Sequence, residues 1–172
     1  MQRIFGYAMA LAMIAVMSAI APAQAQVQNI VPGKTLGGLS IGQDLNPIIG
    51  TLGPLHSEED LPGGTFRGYY WPLKRIGVIV DVSTMKVAAL AVSYDDGYQT
   101  EKGVTAGTEM DAVRTAYGME ESVDSHQEDD TLVYNALGVA FVVDKAGALG
   151  GRVSVIFVFG QGHYKDIFQE QQ

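Results

Sequence analysis

Two stretches of the chain share a pattern of glycine and apolar positions at an offset of 65 residues. The first is GLSIGQDLNPIIGTLG, residues 38–53, and the second is GVTAGTEMDAVRTAYG, residues 103–118. Glycine occupies the first, fifth and last positions of both, and a small hydroxyl residue, Ser40 or Thr105, occupies the third. Self-similarity at a fixed spacing indicates a repeated supersecondary unit, so the two halves are expected to fold alike.

Each stretch carries the signals of a short helix followed by strands. Apolar residues recur at i, i+3 and i+7, which defines one helix face, and the closing glycine is typical of a left-handed C-terminal cap. Segments rich in β-branched and aromatic residues follow each helix and predict strands. The predicted strands are 65–70, 76–82 and 87–94 in the first half and 131–135, 139–144 and 153–159 in the second.

A helix followed by an antiparallel meander, twice over, predicts an α+β fold of two tandem helix-plus-antiparallel-sheet repeats with the helices on one face of the sheets. The other face is then available to a partner. The predicted organisation, in chain order, is a signal peptide 1–25, an N-terminal segment 26–36, repeat units 37–99 and 100–161, and a C-terminal tail 162–172 at the surface. How the two units pack, and whether copies associate, are open.

The pattern resembles the tandem module of the β-lactamase-inhibitor-protein-like superfamily, which includes outer-membrane assembly lipoproteins of the SmpA/OmlA type. The resemblance is carried by the two G-[LV]-[ST]-x-G turns, the Leu-Gly and Tyr-Gly helix ends, and the strands GVIVDV at 77–82 and GVAFVVD at 138–144. It spans nearly all of residues 36–160. It implies the two-unit fold and, for several members, a protein-binding role. The inhibitors carry disulfides and the lipoproteins a lipid-anchored cysteine, whereas this chain has no cysteine, so no binding residue is carried over.

The first residues predict export. Arg3 supplies a positive start, residues 8–21 form a small and apolar run, and Ala23-Gln24-Ala25 fits a cleavage site before Gln26. The run is shorter than the roughly 20 residues that span a bilayer. The expected location is therefore the periplasm, without a membrane anchor.

Charge limits the classes of partner. The chain has a formal net charge of −8, and removing Arg3 with the signal peptide makes the mature chain more negative. Nucleic acid and anionic membranes would repel such a chain. We therefore expect a protein or cell-envelope partner and no nucleic acid. We also expect no cofactor.

GLSIG, residues 38–42, also matches the G-x-S-x-G turn that presents the nucleophile of many serine hydrolases. That turn needs a preceding strand and a parallel sheet that carries the histidine and the acid, and the meander pattern offers no parallel sheet. Because Thr105 occupies the equivalent position in the second copy, a structural role for Ser40 in a local turn is favoured over catalysis. No catalytic residue is assigned.

An acidic stretch, residues 120–130, supplies oxygen ligands around His126. Glu121, Asp124, His126 and Asp129 are candidate metal ligands, although their spacing matches no calcium-loop motif. The alternative is that the run is a solvated charged surface.

Aromatic residues supply candidates for partner binding. Tyr69, Tyr70 and Trp71 are consecutive, so strand alternation must direct rings to both faces. Either the rings form a contact surface, since tyrosine and tryptophan are enriched at binding hot spots, or they pack between sheet and helix. The candidate partner-binding residues are Tyr70, Trp71, Tyr94, Tyr98 and Tyr134.

The hypothesis that follows is an exported, non-catalytic periplasmic protein that binds a protein or envelope component through an open sheet face. A small periplasmic hydrolase that uses Ser40 or His126 is the alternative, and a metal-ion-responsive periplasmic protein is a third. The identity of any partner or ligand is open.

Overall fold

The computed structural model describes residues 28–54, 57–95 and 97–168. The predicted signal peptide, 1–25, lies outside these residues. Within these ranges, no helix combines the length and hydropathy that crossing a membrane requires.

Over the described residues, the fold is sheet-rich with few helices and contains two sheets. The helices are α1 (Leu45–Leu52), α2 (Met110–Tyr117) and α3 (Tyr164–Phe168), and a single 3₁₀ turn covers Gly147–Leu149. The strands, in chain order, are β1 (Gln28–Val31), β2 (Thr35–Leu36), β3 (Leu39–Ser40), β4 (Ser57–Asp60), β5 (Phe66–Trp71), β6 (Ile76–Asp81), β7 (Lys86–Ser93), β8 (Tyr98–Thr100), β9 (Ser122–Ser125), β10 (Asp129–Tyr134), β11 (Val139–Asp144) and β12 (Val153–Phe159).

The larger sheet has eight strands in the order β4-β5-β6-β7-β12-β11-β10-β9, and every neighbouring pair is antiparallel. β7 and β12 join at the centre, with Leu90 opposite Val158 and Val92 opposite Ile156. These central strands alternate buried β-branched and aliphatic residues, which suits a sheet covered on both faces. The sheet edges are β4 and β9, two segments in which no strand was predicted.

The smaller sheet has the order β3-β2-β1-β8. β1 pairs with β2 in antiparallel fashion and with β8 in parallel. Ile30 and Leu36 are fully buried in the main core. The predicted N-terminal segment 26–36 thus contributes core residues, and β8 crosses the predicted boundary at 99/100.

α1 and α2 have the apolar faces and glycine ends that the sequence predicts. Leu45, Ile48 and Leu52 of α1 are buried, as is Val113 of α2. Each helix ends where a glycine with positive φ, Gly53 at 87° or Gly118 at 84°, donates its N–H back to the helix. Such φ values are costly for residues with a Cβ, which explains the glycines.

Equivalent backbone contacts connect each helix entry to its own sheet half. Gly42 N–H donates to the carbonyl of Val87 at 2.8 Å, and Gly107 N–H donates to that of Val153 at 2.8 Å. Ion pairs accompany them: Lys86 Nζ lies 3.2 Å from Asp44 Oδ1, and Arg152 lies 2.6 Å from Glu109 Oε1. In each half of the chain the helix is followed by four strands, and these four are neighbours that make up one half of the larger sheet.

We call the side of the larger sheet that α1 and α2 cover the inner face, and the opposite side the outer face. The inner core unites both helices with alternate residues of the strands. The outer face has a second, smaller buried cluster, which includes Tyr164 and Ile167 of α3.

Two expectations about the outer face are therefore wrong. Residues 164–168 are not a surface tail, because Tyr164 and Ile167 are buried against Val133, Ala140 and Phe159. The outer face is also not fully open, because α3, for which no helix was predicted, packs on it, whereas the two predicted helices α1 and α2 share the inner face. The physical reason is that Tyr164, Ile167 and Phe168 follow i, i+3, i+4 spacing, so one turn of helix aligns three apolar side chains.

Candidate functional site

Strand β5 presents rings to both faces of the sheet, as alternation predicts. Tyr69 and Trp71 are buried in the inner core. Tyr70 lies between them, points to the outer face and is 40% exposed. Of the three consecutive rings, Tyr70 is thus the one that a partner can reach.

Trp71 is a core residue rather than a contact residue. It is 3% exposed, and its indole Nε1 donates to the carbonyl of Gly53, the glycine that ends α1, at 3.0 Å. A buried indole N–H without a partner is costly, so this bond fits the ring into the core. The prediction that Trp71 binds a partner is wrong.

Tyr134 and Tyr98 are also buried, so the same prediction is wrong for both. Tyr134 donates its hydroxyl to the carbonyl of Gly118, the glycine that ends α2, at 2.8 Å, and packs against Tyr117 and Phe141. Burial raises the pKa of Tyr134 and of Tyr98 above the ordinary value.

Tyr94, like Tyr70, is exposed. Its ring is 53% exposed, its φ is 50°, and its carbonyl accepts a hydrogen bond from the Arg75 guanidinium. Its N–H donates to Ser154 at 2.8 Å, at the junction of the two sheet halves.

Tyr70 borders a groove of about 410 Å³ on the outer face, here called the Tyr70 groove. Its floor is made of small residues, Gly68, Gly77 and Ala91. A Cβ added at Gly77 would lie 3.3 Å from the Cβ of Ala91, so glycine there keeps the floor low. Larger and polar side chains surround this floor. They include Tyr70, Phe157, Phe168, Glu58, Glu59 and Arg75.

A second groove, of about 1060 Å³, lies on the same face and is here called the Asp124 groove. Asp124, His126 and Asp129 line it together with Tyr164 and Phe168 of α3. The pKa of Tyr164 is raised, first by burial and then by its hydrogen bond to Asp124. Both grooves share Val155, Phe157 and Phe168 as lining residues.

The four candidate metal ligands are not brought together. Asp124, His126 and Asp129 share the Asp124 groove, whereas the Glu121 carboxylate accepts the N–H of Ala136 at 2.7 Å. In the part of the chain that the structure describes, no group of three or more His, Asp or Glu side chains is arranged to hold a metal ion.

Other carboxylates of the acidic stretch have structural partners. Glu120 forms two hydrogen bonds with the Arg114 guanidinium, at 2.7 and 3.1 Å, and this pairing lowers the pKa of Glu120. Asp130 accepts from Ser125 at 2.6 Å and lies 3.0 Å from Lys145 Nζ, and these contacts lower its pKa. These contacts help to hold β9, β10 and the residues next to them in place.

Ser40 is the last residue of β3, where the turn that leads to α1 begins, and it is hydrogen-bonded within that turn. Its N–H donates to Gln43 Oε1 at 3.1 Å, and the N–H of Thr105 donates to Thr108 Oγ1 at 3.0 Å. The Thr105 hydroxyl donates to the carbonyl of Ala106 at 3.0 Å. Among the described residues, no histidine is hydrogen-bonded to Ser40, so a nucleophile–base pair is not formed there.

Comparison with known proteins bears on the fold. No family model matches the sequence, and no curated protein matches it. Among solved structures, the fold resembles that of the uncharacterized protein YfeY from Escherichia coli, with a TM-score of 0.53 and 12% sequence identity over 75% of this chain and 98% of that chain. A cysteine-rich secretory protein from Staphylococcus aureus aligns with a TM-score of 0.40 and 12% identity, over 78% of this chain and 48% of the other. The likeness to YfeY supports a shared sheet-rich fold.

Proposed function

We propose that the chain is an exported, non-catalytic binding protein of the periplasm that engages a protein or another envelope component through the outer face of its larger sheet. The observation that carries the proposal is the Tyr70 groove. It combines an apolar concave floor with an exposed tyrosine and a few polar groups at its border. Binding sites commonly have this composition, and tyrosine is enriched among residues that dominate binding energy.

The charge of the groove border favours a partner with a cationic, partly apolar contact surface. Glu58 and Glu59 stand on edge strand β4, all of whose residues are exposed. The Arg75 guanidinium is hydrogen-bonded to the carbonyl of Tyr94. Because the chain as a whole is also acidic, a basic partner would be attracted over a distance as well as at contact.

Within the same proposal, residues 37–99 and 100–161 are two copies of a unit related to the β-lactamase-inhibitor-protein-like superfamily. Paired contacts support this interpretation. Trp71 and Tyr134 each donate a side-chain hydrogen bond to the carbonyl of the glycine that ends the helix of their own half. The strand register shifts at Ile79/Val80 in one half and at Val142/Val143 in the other.

Site-specific photo-crosslinking tests the binding proposal. A photoreactive phenylalanine analogue replaces Tyr70 in one full-length variant and Leu137 in another. Leu137 is the control, because it is exposed to a similar extent, 39%, and does not line the Tyr70 groove. We expect the Tyr70 probe to form a discrete adduct in cells that excess unlabelled protein suppresses. The Leu137 probe should form none. Equal labelling from both positions, or no adduct at Tyr70, would reject the outer face as the binding surface.

The location is tested independently. We expect the mature protein in the periplasmic fraction to begin at Gln26 when its N-terminus is sequenced. An uncleaved chain in the cytoplasmic fraction would contradict export.

A further inference from the structure

α3 occupies the outer face with three apolar side chains. Tyr164 and Ile167 are buried, and Phe168 is partly buried. The rings make close contacts with strand β12, with centroids 4.9 Å apart for Phe157 and Phe168 and 5.4 Å apart for Phe159 and Tyr164. The face therefore accepts a helical turn that presents an aromatic, an aliphatic and an aromatic residue at i, i+3 and i+4.

α3 also stands between the two grooves. The Tyr70 groove and the Asp124 groove share Val155 and Phe157 in their linings, and Phe168 contributes to both. Tyr164 lines the Asp124 groove together with Asp124 and Asp129. Moving α3 away would join the two grooves into one trough across the sheet.

The helix depends on the sheet for its own stability. With five residues it is far shorter than the roughly 12 to 15 residues that a helix needs to persist alone in water. It follows β12 through residues 160–163, which include Gly160 and Gly162. Its start is held by Asn135, whose side-chain oxygen accepts the N–H of Tyr164 at 3.1 Å and whose carbonyl accepts that of Gly162 at 2.9 Å.

We propose that α3 is a displaceable internal ligand of the outer face, and that the partner competes with it by presenting a helical turn with aromatic, aliphatic and aromatic side chains at the same spacing. The class of partner rests on the proposed function, because it assumes that the outer face binds a protein. The displaceability of α3 stands on the geometry alone. While α3 is bound to the outer face, the apparent affinity of the protein for the partner is low. The reason is that α3, as part of the same chain, competes at high effective concentration.

Binding of the segment in trans tests the proposal on the full chain. The probe is a fluorescein-labelled synthetic peptide of residues 162–172, followed by fluorescence anisotropy. The full-length double variant Tyr164→Ser/Ile167→Ser should bind this peptide at least about tenfold more tightly than the unmodified chain, because its own α3 no longer competes.

Two matched controls accompany the measurement. Lys165 is on the exposed side of α3, so Lys165→Ser should bind the peptide as weakly as the unmodified chain does. A peptide that carries the Ile167→Ser change should not bind the double variant. Together these results support a specific side-chain match between face and segment.

Two results would overturn the proposal. One is equal peptide affinity, or none, for the double variant and the unmodified chain. The other is loss of cooperative thermal unfolding in the double variant and also in Ile167→Ser alone, because α3 would then be a required part of the fold.

Failure of this proposal is distinguishable from failure of the proposed function. Peptide binding without a Tyr70 cross-link would leave α3 displaceable and reject the external partner. A Tyr70 cross-link without peptide binding would keep the partner and reject its competition with α3.

Discussion

Trp71 and Tyr70 are neighbours in β5, yet they belong to opposite faces of the sheet. Trp71 on the inner face is packed under α1 and fully hydrogen-bonded, whereas Tyr70 on the outer face stands half open beside a groove. The inner face is closed by two helices of eight residues and the outer face carries one of five. The comparison shows that alternation lets one strand bury one aromatic side chain in the core and leave its neighbour accessible at the surface.

Replacing Trp71 should show the largest effect on stability. Trp71→Ala removes a buried ring and its hydrogen bond, and we expect a loss of about 3–5 kcal/mol in the free energy of unfolding. Urea denaturation followed by circular dichroism measures it. A loss below about 1 kcal/mol would mean that the inner core does not depend on this ring.

The two ring hydrogen bonds to the helix-ending glycines should matter less, and to a similar degree. Tyr134→Phe deletes the donor to Gly118 and Trp71→Phe deletes the donor to Gly53, so we expect each to cost about 0.5–1.5 kcal/mol beyond any change in packing. Similar values support equivalent roles in the two halves. A large cost for one and none for the other would break the equivalence.

A smaller, pH-dependent effect is expected from Glu120. Because Arg114 holds the pKa of Glu120 below its ordinary value of about 4.3, the ion pair stabilises the folded state above that pH and its contribution is lost as the pH falls through the folded-state pKa. The unmodified chain should therefore be more stable than Glu120→Gln at pH 7, and the difference should shrink below pH ~4. Melting temperatures of both proteins from pH 7 to pH 3 test this, and a constant difference would contradict it.

Tyr70→Ser should have the smallest effect on stability, within about 0.5 kcal/mol, because the ring is half exposed and forms no side-chain hydrogen bond with the residues that the structure describes. Binding should nevertheless suffer. The adduct formed from a probe at Glu59, an exposed residue at the groove border that is not part of α3, should be lost in this background. Destabilisation as large as that of Trp71→Ala would place Tyr70 among the core residues.

Much of the fold could be predicted from periodicity. The predicted strands at 76–82 and 139–144 match β6 and β11 closely, and both helices end at the expected glycines. Edge strands β4 and β9 were missed because edge strands carry polar and charged residues, which do not alternate with apolar ones. α3 was missed because a single turn gives too short a periodic signal.

The site was less accessible to prediction. Alternation shows that consecutive rings diverge, but the phase of a strand is set by its partners, so it could not decide which of Tyr70 and Trp71 faces the core. The Tyr70 groove depends on small residues from three strands, Gly68, Gly77 and Ala91, whose proximity is fixed by tertiary pairing. No local pattern marks them as one floor.

Native-state hydrogen exchange of the full chain tests the contrast between the faces most directly. Peptides that cover α2 and β6 report the inner face, and the peptide that covers residues 160–168 reports α3. We predict that the α3 amides exchange at least about 100-fold faster than those of β6, by local opening that leaves the inner core closed. If the α3 amides were as protected as those of β6, α3 would open only when the whole protein unfolds. The outer face would then be as permanently closed as the inner one.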